Sequence, residues 1–146
     1  MKIVLDNPFD SASIEGTSLL KLNFSKLRLK GEDIIPVAVQ NAVTKEVILI
    51  AYTNELAFNE TLKLRKAVFW SLSRNKLWYK GEESGNTFTV QSIFVNCEQN
   101  SLLYKVIPDN PDKGGICHTY IDGIANNCFY RELDLKTREL TLNGTH

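Results

Sequence analysis

The sequence predicts a mainly β protein with one clear helix. Two observations carry that expectation. Stretches of strand length, rich in β-branched and aromatic residues and bounded by turn formers, recur from residue 34 to residue 107. Only one segment, beginning at Thr53 or Asn54, pairs a capping residue with the charge order of a helix.

The elements follow in chain order. Residues 1–23 are mixed, with loop chemistry at Asp10, Ser11, Ser13, Gly16, Thr17 and Ser18 before a short apolar run at Leu19, Leu20 and Leu22. Residues 34–40 are the first strand, and Pro36 restricts it to an edge or places it near a strand start, because proline has no N–H for a ladder. Residues 41–45 form a turn. Val47-Ile48-Leu49-Ile50-Ala51-Tyr52 is an unbroken apolar run, which predicts a strand buried on both faces. The helix runs to about Lys66, with Glu55 near its start and Lys63, Arg65 and Lys66 near its end to suit the dipole. Strands follow at 68–70 and 77–80, joined by a polar turn at 73–75. Residues 81–86 are a loop with two glycines, and 87–95 and 102–107 are further strands. Residues 108–115 form a turn-rich connection, and 133–142 a short closing hairpin.

Composition narrows the function class. The chain has 146 residues, 17 Lys+Arg against 17 Asp+Glu, and 43% hydrophobic content. That is a single packed domain needing no disulfide staples. A formal charge of zero lacks the basic excess that drives nonspecific nucleic-acid binding, yet leaves room for a local cationic pocket. The apolar start, Met1 to Leu5, is too short for a signal segment or membrane span. A cytoplasmic protein with reduced thiols, no nucleic-acid partner and no membrane partner is the expectation.

Chemistry-bearing residues gather in two places. Cys97, Cys117 and Cys128 cannot all pair within one chain, and none makes a C-x-x-C pair. Spacing alone leaves core thiols and a metal site both open. His118 adjoins Cys117, a suitable place for a proton carrier or a group supporting a ligand. The second place is Trp70-Ser71-Leu72-Ser73-Arg74 through Lys80-Gly81-Glu82-Glu83-Ser84-Gly85-Asn86, which gathers hydroxyls, cations and glycines in a short span. Those groups suit phosphate oxygens, and they equally suit a solvated hairpin.

The order and intervals of these pieces resemble the phosphoribosyl-AMP cyclohydrolases of histidine biosynthesis. The likeness covers residues 34–131, with 1–23 outside it. It includes Ile35-Pro36, Gln40, Thr44-Lys45-Glu46-Val47, Ala51-Tyr52, the Trp70–Arg74 and Lys80–Asn86 stretches, Leu77-Trp78, Thr87, Cys97, Leu102-Leu103, Cys117-His118-Thr119 and Cys128-Phe129-Tyr130-Arg131. The resemblance implies small β-sandwich lobes forming an intertwined homodimer, with the active site at the interface. It implies zinc held by Cys97, Cys117 and Cys128 from both subunits, the fourth position staying open as in catalytic sites. It implies hydrolysis of the N1–C6 bond of a phosphorylated purine nucleotide by water that zinc activates, an opening move shared with adenine deaminases. His118 is then the proton carrier. Ser71, Ser73, Arg74 and Lys80 hold phosphate or ribose, and Ser84, Gly85 and Asn86 approach the substrate.

This chain departs from the family pattern in ways that bear on function. The family commonly reads Asp-Cys-Asp-x-Asp around its first cysteine and binds magnesium there. Here the stretch is Asn96-Cys97-Glu98-Gln99-Asn100, so the magnesium site is expected to be weak or absent. Tyr120 stands where a glycine is usual, and four extra residues precede Cys128. Asn41 replaces a usual Asp, and Leu72 a frequent Arg. A fused pyrophosphohydrolase domain, which some members of the family carry, is not expected within these 146 residues. The leading reading is therefore a zinc-dependent hydrolase of phosphoribosyl-AMP. The alternatives are a diverged zinc hydrolase or deaminase acting on another heterocycle, and a non-catalytic zinc-stabilised dimer that binds a ligand.

Overall fold

The computed structural model describes residues 20–24, 28–29, 31–111, 120–121 and 124–142. Among them the elements run β1 (Arg28–Leu29), β2 (Glu32–Asp33), β3 (Ile35–Asn41), β4 (Val47–Thr53), α1 (Glu55–Leu64), β5 (Val68–Ser71), β6 (Lys76–Tyr79), β7 (Phe88–Val95) and β8 (Leu102–Pro108). After these come β9 (Tyr120–Ile121), β10 (Ile124–Ala125), β11 (Arg131–Leu133) and β12 (Leu140–Leu142). Among the described residues the protein is mainly β with one helix, as the sequence predicts.

The centre is a four-stranded sheet in the order β4-β3-β8-β7. Alternation sets its inner face: Ile35, Val37 and Val39 of β3 are buried beside Leu102, Tyr104 and Val106 of β8. β3 and β8 pair in parallel, Val37 opposite Leu102 and Asn41 opposite Val106. A parallel pair needs a crossover, and α1, the β5–β6 hairpin and β7 all lie in the connecting chain. Pro36 sits where its missing N–H is harmless, since the β8 ladder begins at Val37.

β4 corrects one expectation. It is an edge strand, and Val47 and Ile50 are 43% and 49% exposed, so burial of its two faces is incomplete even though neighbouring Ile48 and Leu49 are both buried. An unbroken apolar run does not distinguish a twice-covered strand from an edge strand whose outer face is also apolar.

α1 starts where the sequence places it. Asn54 is extended, with φ −116° and ψ −178°, and its Oδ1 accepts the Ala57 N–H at 2.9 Å. The helix stops at Arg65, whose left-handed φ of 59° lets its N–H reach the Thr61 carbonyl at 2.8 Å. That end comes before Lys66, because Lys66 already bridges to Thr89 of β7. Buried Thr61 ties the helix to β5: its Oγ1 accepts the Val68 N–H at 3.0 Å. Phe69 of β5 stacks on Tyr104 of β8, centroids 6.1 Å apart, which packs the hairpin against the sheet. The closing hairpin forms from β11 and β12, in register from Arg131–Leu142 to Leu133–Leu140.

Candidate functional site

The β5–β6 turn carries the hydroxyl-and-arginine motif. Ser71 is the last residue of β5, and its Oγ accepts the Arg74 N–H at 3.3 Å. Ser73 Oγ lies 3.4 Å from Ser71 Oγ, and Arg74 is exposed. Asn75, with φ 53°, closes the turn in the left-handed conformation that asparagine tolerates. The result is two hydroxyls and a guanidinium on one solvent-facing tip, a suitable arrangement for anionic oxygens.

Lys80 stands at the other end of the hairpin. The four residues of β6 separate it from the tip, which is roughly 13 Å at strand rise. Its side chain is 8% exposed and its ammonium lies 4.7 Å from the Phe88 ring centroid. Lys80 and Arg74 are therefore not brought together within one protomer.

The Ser84-Gly85-Asn86 loop is built on glycine and amide chemistry. Gly81 has φ +85°, and a Cβ there would meet the Asn86 carbonyl carbon at 2.3 Å. The Gly85 N–H returns to the Gly81 carbonyl at 2.8 Å, and Ser84 Oγ accepts the Asn86 N–H at 3.3 Å. Asn86 is fully buried, and its Oδ1 accepts the Asn110 N–H at 3.0 Å. Asn110 Nδ2 in turn donates to the Gly85 carbonyl at 2.7 Å. The loop thereby anchors the start of the segment that leads to Cys117.

An acidic knot sits beside that anchor. Lys66 Nζ donates to Asp109 Oδ2 at 2.7 Å, while Thr87 and Thr89 hydroxyls donate to its two oxygens at 2.5 and 2.6 Å. Burial pushes the Asp109 carboxyl up, but the hydrogen bonds from Lys66, Thr87 and Thr89 outweigh it and hold the group below its ordinary range.

Two of the three cysteines fall within the described residues, and both are exposed. Cys97 follows β7, in a turn leading to β8. Cys128 is docked on β4 by its N–H, which donates to the Ile48 carbonyl at 2.8 Å. β4 and β7 are the two edges of the sheet, so the strands next to Cys128 and Cys97 lie roughly 14 Å apart within one protomer. Cys117 and His118 lie outside the described residues. Among the described residues no three His, Cys, Asp or Glu side chains converge. Thiolate sulfur suits zinc, and the two described thiols belong to opposite edges of the sheet.

The stretch around Cys97 is a poor fit for magnesium. Asn96 Nδ2 donates to Asn100 Oδ1 at 2.7 Å, and Asn100 Nδ2 donates to Glu98 Oε2 at 3.1 Å. The side chains satisfy one another, and only one is a carboxylate.

Sequence reading missed one feature, an open cavity of about 610 Å³ at the start of α1, lined by Phe24, Glu32, Asn54, Asn59 and Trp70 among others. The Trp70 indole N–H is buried without a partner among the described residues. Asn54 reads in sequence only as a cap, and nothing local pairs it with Glu32, whose Oε2 accepts from its Nδ2 at 3.2 Å.

A model of the phosphoribosyl-AMP cyclohydrolase family matches residues 49–130, more than half of the chain. The chain belongs to the phosphoribosyl-AMP cyclohydrolase family. The matched span runs from β4 past Cys128 and includes the Ser71–Arg74 tip, the Lys80–Asn86 loop and all three cysteines. Among members of the family, the phosphoribosyl-AMP cyclohydrolase of Nitrosopumilus maritimus is 44% identical over 104 residues, covering 71% of this chain and 89% of that protein. That of Methanothermobacter thermautotrophicus is 39% identical over 128 residues, covering 86% of each. The histidine biosynthesis bifunctional protein HisIE of Caldanaerobacter subterraneus is 39% identical over 119 residues, covering 81% of this chain and 54% of that longer protein. No helix among the described residues is long and apolar enough to cross a membrane.

Proposed function

We propose that this chain hydrolyses the N1–C6 bond of phosphoribosyl-AMP in histidine biosynthesis, as a cytoplasmic homodimer of β-sandwich lobes whose zinc is held by Cys97, Cys117 and Cys128 from two chains. The observation that carries this reading is the family match over residues 49–130. The separation of Cys97 and Cys128 across the sheet supports a site completed by a second copy. So does the outer sheet face, where Ile50, Ala38, Leu103 and Phe94 form a row across the strands. Ile50 and Phe94 in that row are 49% and 51% exposed, and a second copy would cover them.

Zinc held there would supply the Lewis acidity that makes water nucleophilic near neutral pH. The chain's own residues do the rest. Arg74, with the Ser71 and Ser73 hydroxyls, holds the anionic phosphate at the hairpin tip. Lys80 and the Ser84–Asn86 loop border the ribose. His118 takes a proton from the attacking water and returns it to N1 as the N1–C6 bond breaks, leaving C6 as a carboxamide. Magnesium has no assigned role, because the Asn96–Asn100 side chains are committed to one another.

Incubation with phosphoribosyl-AMP, followed by ultraviolet absorbance, tests the reading. Turnover without added magnesium is the expected result, with about one zinc per chain by metal analysis. Zinc without turnover would favour a diverged hydrolase or a ligand-binding dimer. Unchanged turnover in His118→Ala would remove the proton-carrier role.

A further inference from the structure

We propose that Asn96 and Gln99 are positioning residues that set the Cys97 thiol without a hard divalent cation. The proposal rests on the zinc reading only for what Cys97 does; the turn itself stands on its hydrogen bonds. Asn96 Oδ1 accepts two backbone N–H groups, from Asn100 at 2.8 Å and Ser101 at 2.9 Å. Two donors at one oxygen fix the orientation of the amide. Its Nδ2 must then face Asn100 Oδ1, and Asn100 Nδ2 must face Glu98. Each amide nitrogen in this relay meets an acceptor. A carboxylate at position 96 would set oxygen against Asn100 Oδ1, an arrangement that asks for a cation or a proton between them.

Gln99 supplies the second hold. It is 6% exposed and left-handed, with φ 54°. Its N–H closes the turn on the Asn96 carbonyl at 3.0 Å, and its carbonyl accepts the Asn23 N–H at 2.7 Å. Its side-chain Oε1 accepts the Lys21 N–H. Leu22 and Phe24, which flank Asn23, pack on the main core. A segment outside the family match therefore straps the Cys97 turn to the interior.

Magnesium alone, zinc titration and cobalt(II) spectra test the proposal. Millimolar magnesium should leave the wild-type melting temperature unchanged, and should raise that of Asn96→Asp/Asn100→Asp. Asn96→Ala and Gln99→Ala should each lower zinc affinity about tenfold, the scale of lost support around a metal ligand. Both should weaken the cobalt–thiolate charge-transfer band when measured well below their melting temperatures, a signal that mere destabilisation would not move. If Asn96→Ala does not fold, Gln99→Ala carries the test. Wild-type zinc affinity in the folded variants, or a wild-type melting temperature raised by magnesium, would overturn the proposal. Wild-type zinc content in Cys97→Ser would instead overturn the zinc reading and leave the magnesium comparison to judge the turn.

Discussion

Gly81 and Asp109 are each held by several groups at once, so single substitutions there have sharp consequences. At Gly81 the backbone is left-handed and Asn86 backbone atoms lie 2.3 Å from where a Cβ would stand. Those atoms are backbone and cannot rotate away. Gly81→Ala should cost about 2–4 kcal/mol, combining backbone strain with a steric clash; chemical denaturation will measure it. Asp109 predicts a pH dependence. Its carboxyl titrates below its ordinary value, so the stability it contributes is present above the unfolded value of about 3.9 and is lost as pH falls through the folded value. Urea midpoints should fall more steeply on acidification for wild type than for Asp109→Asn, and the two curves should converge at the acid end. The sequence makes the Lys80–Asn86 loop and its glycines legible as a turn. It does not reveal that Asn86 is buried, because its partner Asn110 lies 24 residues away.

At the scale of the element, local rules held where local interactions decide. Asn54 caps α1 through a bond three residues long, and the hairpin tip at Ser71–Asn75 closes on itself. Asn54→Ala removes the cap on Ala57 and the bond to Glu32. It should destabilise the protein by about 1 kcal/mol, read as a lower denaturation midpoint with the β signature retained. β4 marks where local rules stop. Its hydrophobicity is uniform from Val47 to Tyr52, so which of these side chains stay exposed is decided by what packs over the sheet and not by the local pattern. The turn at Cys97 has the same character: the amides at 96 and 100 suggest a lost cation site in sequence, whereas the mutual hydrogen bonds that replace it are a matter of geometry.

For the whole molecule, the parallel pairing of β3 with β8 is the least local feature, and no short pattern specifies which strand lies beside which. The same sheet order separates Cys97 from Cys128. If two chains complete each zinc site, defects in different cysteines should complement. A Cys97→Ser chain and a Cys128→Ser chain should then each be inactive alone. In a hybrid dimer, one site combines the intact Cys97 of one chain with the intact Cys128 of the other, while the second site loses both. Co-refolding equal amounts gives hybrids as half of all dimers, each with one working site, so activity should return to about a quarter of wild type. Zinc content should rise with it. A mixture as inactive as its components, with dimers confirmed by sedimentation, would mean that each site draws Cys97 and Cys128 from one chain. The turn carrying Cys97 and the segment carrying Cys128 would then have to meet across the sheet.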